Sequence, residues 1–181
     1  MALEFHHLDK GTRKHMLAEI ERDVKDGCLY ISPRLTDECA AVYADLIRDA
    51  ATRGTDASLA AELVKTGRIK THEVRNTKKG TVTAKVPYTA HETLSEGEFN
   101  RFYMRGLCER AKEEGHIHVV VYRAKFAENP RPESEVLIGS EIEVKQLLAD
   151  LRKNIGTDTA LGLPPGPNSG LSIRLPLKKS M

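Results

Sequence analysis

Ser95-Glu96-Gly97-Glu98-Phe99-Asn100-Arg101-Phe102-Tyr103-Met104-Arg105-Gly106-Leu107 is the stretch whose reading decides the fold. Ser95 with Glu98 three residues on has the form of a capping box. The hydroxyl accepts from the backbone amide of Glu98, and the carboxylate reaches back. Behind it, Phe99, Phe102, Tyr103, Gly106, Leu107 and Ala111 recur at helical spacing and form a wide apolar stripe. The pattern predicts a helix from Ser95 to about Glu114, stopped by Gly115. Residues 117–124 follow, with Val119-Val120-Val121-Tyr122 uninterrupted, as in a strand covered on both faces.

Working outward toward the C-terminus, Asn129-Pro130-Arg131-Pro132 reads as a stiff loop and Val136-Leu137-Ile138 as a short strand. Residues 143–153 read as a helix carrying Val144, Leu147, Leu148 and Leu151. Gly162-Leu163-Pro164-Pro165-Gly166-Pro167 is an extended linker, since proline removes the amide a helix needs. Residues 171–175 read as a last strand. Toward the N-terminus, a helix spans about residues 9–26, with Met16, Leu17, Ile20 and Val24 on one face. Asp9 or Thr12 caps it, and Gly27 suits the position just past its end. Cys28-Leu29-Tyr30-Ile31 reads as a strand. A second helix follows Thr36 with Val42, Tyr43, Leu46, Ile47 and Ala50 as its stripe, and a third runs from Asp56 to Gly67. Residues 68–76 and 81–87 alternate with period two around Asn76-Thr77-Lys78-Lys79-Gly80, a hairpin signature.

The fold class expected is therefore α+β. N-terminal helices and a β-hairpin are followed by a helix-strand-helix-strand unit around a small sheet. Residues 1–181 read as a single domain, with sub-parts 1–92 and 93–181 meeting in a loop at 88–94. At 181 residues the chain is long enough to bury about two-thirds of its unfolded surface without a disulfide or metal staple. Apolar residues are 40% and charged residues 30%, too well mixed for a disordered chain. The net charge of +2 means that any nucleic-acid contact must come from a local patch. Cys28, Cys39 and Cys108 form no CxxC pair and read as reduced thiols. The first ten residues do not resemble a secretion signal, and the longest apolar run is too short to span a membrane.

The densest charge lies in the hairpin. Arg68, Lys70, Arg75, Lys78, Lys79 and Lys85 face only Glu73 as an opposing acid, so they form a candidate phosphate-binding set. The alternative is a solvated ribbon whose lysines discourage edge pairing. His116 and His118, two apart, would point the same way on a strand and could share a metal. A third ligand from His72, His91 or Glu133 is not singled out by spacing. Glu141-Ile142-Glu143-Val144-Lys145 has the acid and E-x-K order of magnesium-dependent nucleases, but it reads as a helix start, where acids are favoured anyway. Cys108 is either a nucleophile or a small buried hydrophobe. Arg101 and Arg105, four apart, share a helix face; they bind an anionic partner or pair with Glu98 or Glu109. No phosphate-binding glycine loop, GxSxG, HExxH or dinucleotide fingerprint occurs. The residues recommend neither an enzyme nor a cofactor.

Several of these pieces occur together in one order. Glu98 to Leu107 leads into a strand ending Val121-Tyr122-Arg123-Ala124. A proline-containing loop, Ile138-Gly139 and a short helix follow, then Pro164-Pro165-Gly166-Pro167-Asn168 before a final strand. Over about 80 residues this resembles the minor head, or head-morphogenesis, proteins of tailed bacteriophages (the Mu F type). The family's loop cysteines are absent from Asn129 to Ser134, and Asn168-Ser169-Gly170 lacks its histidine and cysteine. The resemblance thus implies a structural or assembly protein rather than a metal or thiol site. Its partners would be other head or particle proteins in a homo- or hetero-oligomer, with Arg101, Arg105, Pro164 and Pro165 as contact residues. DNA would be reached through the hairpin. The expected location is the virion or the cytoplasm of a bacterial host.

Overall fold

Helix α4, Ala90–Glu113, is the axis around which the chain is organised. The computed structural model describes residues 2–126, 128–130, 132–155 and 170–177. Before α4 come α1 (Lys10–Lys25), α2 (Asp37–Arg53), α3 (Asp56–Leu63) and the strands β1 (His72–Thr77) and β2 (Gly80–Lys85). After it come β3 (His118–Arg123), α5 (Pro132–Leu137), β4 (Glu141–Glu143), α6 (Val144–Lys153) and β5 (Leu171–Arg174). The fold is α+β, with six helices and two small antiparallel sheets among the described residues.

Phe99, Phe102, Tyr103, Leu107, Cys108 and Ala111 are all buried, and α4 packs against α1, α2, α3, α6, β3 and β5. At the α1 crossing Gly106 is the close-approach residue. A Cβ there would lie 2.7 Å from Met16 Cγ and 2.8 Å from the Met16 amide nitrogen. β3 is the middle strand of the order β4-β3-β5, which accounts for its continuous apolar run. Val119 faces Ile142 on one side, and Val121 faces Ile173 on the other.

The caps of the first two helices follow expectation. Asp9 accepts from the Thr12 amide at 3.1 Å, and Thr36 from the Cys39 amide at 3.3 Å. Gly27, with φ of 66°, takes the left-handed position after α1. Four local expectations are corrected. The capping box at Ser95 does not form, because α4 begins five residues earlier. Ser95 is fully buried inside the helix, and its hydroxyl donates to the carbonyls of His91 (2.8 Å) and Glu92 (3.0 Å). Within a helix this bond back to the preceding turn replaces the cap. Residues 28–31 pair with no strand. The amides of Cys28 and Leu29 bond instead to the Asp23 carbonyl at the end of α1. Val136 and Leu137 belong to α5, where Leu137 turns its side chain to the core. Glu141–Glu143 is a strand rather than a helix start, because β3 offers it an edge.

Candidate functional site

The hairpin forms where expected and stands off the helical body. β1 and β2 pair from His72↔Lys85 to Thr77↔Gly80, closed by Lys78-Lys79. Gly80 takes φ of 119°, and the Thr77 hydroxyl donates to its carbonyl at 2.7 Å. Six residues per strand make an arm of about 20 Å. Every residue of the two strands is exposed except Glu73 and Ala84, which are half-buried. Val74 is 70% exposed and Val82 46%, one on each face of the ribbon. Both outer edges of the two-stranded sheet are unpaired among the described residues.

Alternation assigns the faces. Glu73, Arg75, Thr77, Val82 and Ala84 share the face whose root meets the body. His72, Val74, Asn76, Thr81, Thr83 and Lys85 share the other. At the root, Thr36 donates to the Arg68 carbonyl, Lys70 to that of Arg34 and Val86 to that of Thr71. Arg34 clamps Glu73 through its Nε at 2.6 Å and a terminal nitrogen at 3.1 Å, while Arg75 Nε donates to the same carboxylate at 2.7 Å. Hydrogen bonds from Arg34 and Arg75 hold the Glu73 pKa down at about 2. Arg34 was not identified from the sequence; its partner lies 39 residues away and no local pattern links them.

The six basic hairpin residues therefore divide. Arg75 is held by Glu73, and Arg68 lies 3.0 Å from a Glu62 carboxylate oxygen. Lys70 Nζ donates to the Pro33 carbonyl at 3.0 Å. Lys78 and Lys79 at the tip and Lys85 near the root make no ion pair among the described residues, so these three cations remain for a partner.

Arg101 and Arg105 are corrected: neither faces a partner. Arg105 has no exposed surface. Its Nε donates to Glu19 at 2.6 Å, its two terminal nitrogens to Asp23 at 2.6 and 2.7 Å, and its guanidinium lies 5.0 Å from the Phe102 ring centre. Burial works against the charge, but Asp23 and Glu19 outweigh it and raise the Arg105 pKa. Arg152 extends the network from Glu19 to Glu109, 2.6 Å away. Arg101 is also buried, 3.0 Å from Glu98 and donating to the Asn154 carbonyl. Burial lifts the Glu98 carboxyl to about 6 despite Arg101. For Arg101 the alternative of pairing with Glu98 is the one found, and the burial is tertiary: α1 brings carboxylates to Arg105 and the end of α6 a carbonyl to Arg101. Pro164 and Pro165 lie outside the described residues.

The catalytic candidates are not assembled. Cys108 is buried and its thiol is pushed up to about 12 by burial, so it carries no thiolate near neutral pH. His118 begins β3, while His116 lies in the preceding loop, 3.6 Å from Glu114. His72, His91 and Glu133 belong to β1, α4 and α5. No three His, Cys, Asp or Glu residues among those described are placed to hold a metal ion. Glu141 and Glu143 are exposed on β4. No helix among the described residues is long and apolar enough to cross a membrane. Comparison with family models, curated proteins and solved structures finds no match to this chain.

Proposed function

We propose that this chain works by contact, as a structural or assembly component of a bacteriophage-type particle, with the β1–β2 ribbon as the arm that reaches a neighbouring protein. The observation that carries the reading is the ribbon itself. A two-stranded hairpin is marginal alone in water and gains stability by packing its faces or edges. Here Val74 and Val82 are exposed on opposite faces and both edges are open, so a neighbour has apolar surface and backbone groups to take up. The resemblance of residues 95–175 to head-morphogenesis proteins supplies the particle context. Contact rather than catalysis fits the scattered placement of the candidate catalytic groups.

The test is sedimentation of the full chain with the proteins encoded beside its gene. Co-sedimentation with portal or capsid proteins, lost in the Val74→Asp/Val82→Asp double variant, is expected. A monomer that co-sediments with none of them sinks the reading.

A second reading is favoured by Lys78, Lys79 and Lys85. An antiparallel ribbon fits the DNA major groove, and these unpaired lysines would neutralise phosphates. Asn76, Thr81 and Thr83 lie on the same face as Lys85 and would meet base edges. Duplex binding that weakens steeply with salt is expected. Failure to bind at low ionic strength removes this reading.

A further inference from the structure

A second cationic feature lies away from the ribbon. A cleft of about 1000 Å³ opens between the N-terminal segment, the C-terminal end of α4 and the chain leaving β5. Arg110 is anchored on its floor: Nε donates to Glu114 and one terminal nitrogen to Asp9, both at 2.6 Å. The other terminal nitrogen of Arg110 makes no hydrogen bond to a described residue. Arg174, at the end of β5, also lines the cleft and has no carboxylate partner among the described residues. Three imidazoles, His6, His7 and His116, and the Glu114 carboxylate complete the polar lining.

The two acids nearby, Asp9 and Glu114, are both held by Arg110, so Arg174 is left without a carboxylate among the described residues. The field inside is felt by His7. Burial pushes its imidazole below the ordinary range, Arg110 and His6 add like-charge repulsion, and Asp9 and Glu114 oppose. A guanidinium with donors to spare is the usual receptor for a phosphate or carboxylate. The cleft is far larger than a bare phosphate needs and lies in the size range of small-molecule sites. One wall is apolar, formed by Leu175, Pro176 and Leu177. The exposed His6 ring lies 4.1 Å from the Tyr122 ring, which backs it.

From Arg174 and the Arg110 donor, both without a partner among the described residues, and the His6–Tyr122 ring pair, we infer that the cleft binds a nucleotide phosphate monoester, either free or at the 5′ end of a strand. The phosphate lies between Arg110 and Arg174 with His116 at its edge. The base lies over His6 against the apolar wall. The inference does not depend on the ribbon.

The test is titration calorimetry on the full chain with AMP, adenosine, inorganic phosphate, and one oligonucleotide with and without a 5′-phosphate. AMP is expected to bind at least about tenfold more tightly than adenosine or phosphate, because charge-assisted bonds and stacking act together. Arg174→Ala is expected to weaken AMP at least about tenfold with an unchanged melting temperature. His116→Gln serves as a second variant, should Arg174→Ala melt early, and is also expected to weaken binding. Preference for the phosphorylated oligonucleotide over AMP identifies a strand end; the reverse identifies the free nucleotide. AMP and the phosphorylated strand binding no better than adenosine and the unphosphorylated strand overturns the inference. So does AMP binding unaffected by either variant.

Discussion

The α1–α4 interface and the β1–β2 ribbon use the same side chains in opposite ways. In the interface, Arg105 is stripped of water and its donors are taken up by Glu19 and Asp23, 86 and 82 residues away in sequence. In the ribbon, Lys78, Lys79 and Lys85 are exposed or at the loop and meet no acid among the described residues. Their carboxylates differ too. Burial raises Glu98 to about 6, while hydrogen bonds from Arg34 and Arg75 lower Glu73 to about 2. A charge-rich stretch is thus structural or available according to what a distant element sets against it.

The largest effect expected from breaking this contrast is at Arg105. Arg105→Met leaves Asp23 buried without its cation and Glu19 with Arg152 alone, which should cost about 3–5 kcal/mol in urea denaturation. Replacing the group together (Arg105→Met, Glu19→Gln, Asp23→Asn) should recover much of the loss. If the single variant is as stable as the parent, the network is not the structural element described. Gly106→Ala comes next. The new Cβ would meet Met16 and, at 3.1 Å, the Thr12 carbonyl, so α1 and α4 must separate at about 1–3 kcal/mol.

The carboxylates sharpen the contrast through pH. Folded protein holds the Glu98 proton more tightly than unfolded chain does. This contribution is therefore full below about 4.5 and is lost as pH rises through about 6. The shift corresponds to about 2 kcal/mol. Glu73 acts in the opposite sense: its contribution is present above 4.5 and is lost as pH falls through about 2. Carboxyl titration by NMR should place the two on either side of the ordinary glutamate value. Two ordinary titrations would remove the distinction.

The sequence foretold α4, its buried stripe, the central strand and the hairpin because each depends on local periodicity. It misplaced the start of α4 because Ser-x-x-Glu has the same form inside a helix as at its end, and only tertiary burial of Ser95 and Glu98 separates the two. Val136 to Ile138 misled for a related reason. Three apolar residues are too few to distinguish strand from helix, and β3 took Glu141–Glu143 as its neighbour instead. The Arg101–Glu98 pair was readable from its spacing, but the burial of Arg101 and Arg105 was not, because the groups that cover them lie on α1 and at the end of α6. The cleft was equally hidden, since His6, Arg110 and Arg174 meet only in three dimensions. Lys78 and Lys79 were readable because a two-residue hairpin loop leaves its side chains nowhere to go but solvent.

The smallest effect on stability is expected where the effect on binding is greatest. Lys78→Ala, Lys79→Ala and Lys85→Ala remove no ion pair, so each should change unfolding free energy by less than about 0.5 kcal/mol. If the ribbon carries duplex contacts, each substitution should also lower the salt dependence of binding by about 0.9 in the log–log slope, one phosphate at a time. The loss at Lys85 should add to the loss at either tip lysine, since tip and root are separated by most of the arm. Arg75→Ala is the informative control. Its charge is taken by Glu73, so it should affect the root of the ribbon more than the slope. A slope that responds to Arg75 and not to the lysines would mean that the ribbon meets its partner by the face turned toward the body, reversing the assignment made from exposure.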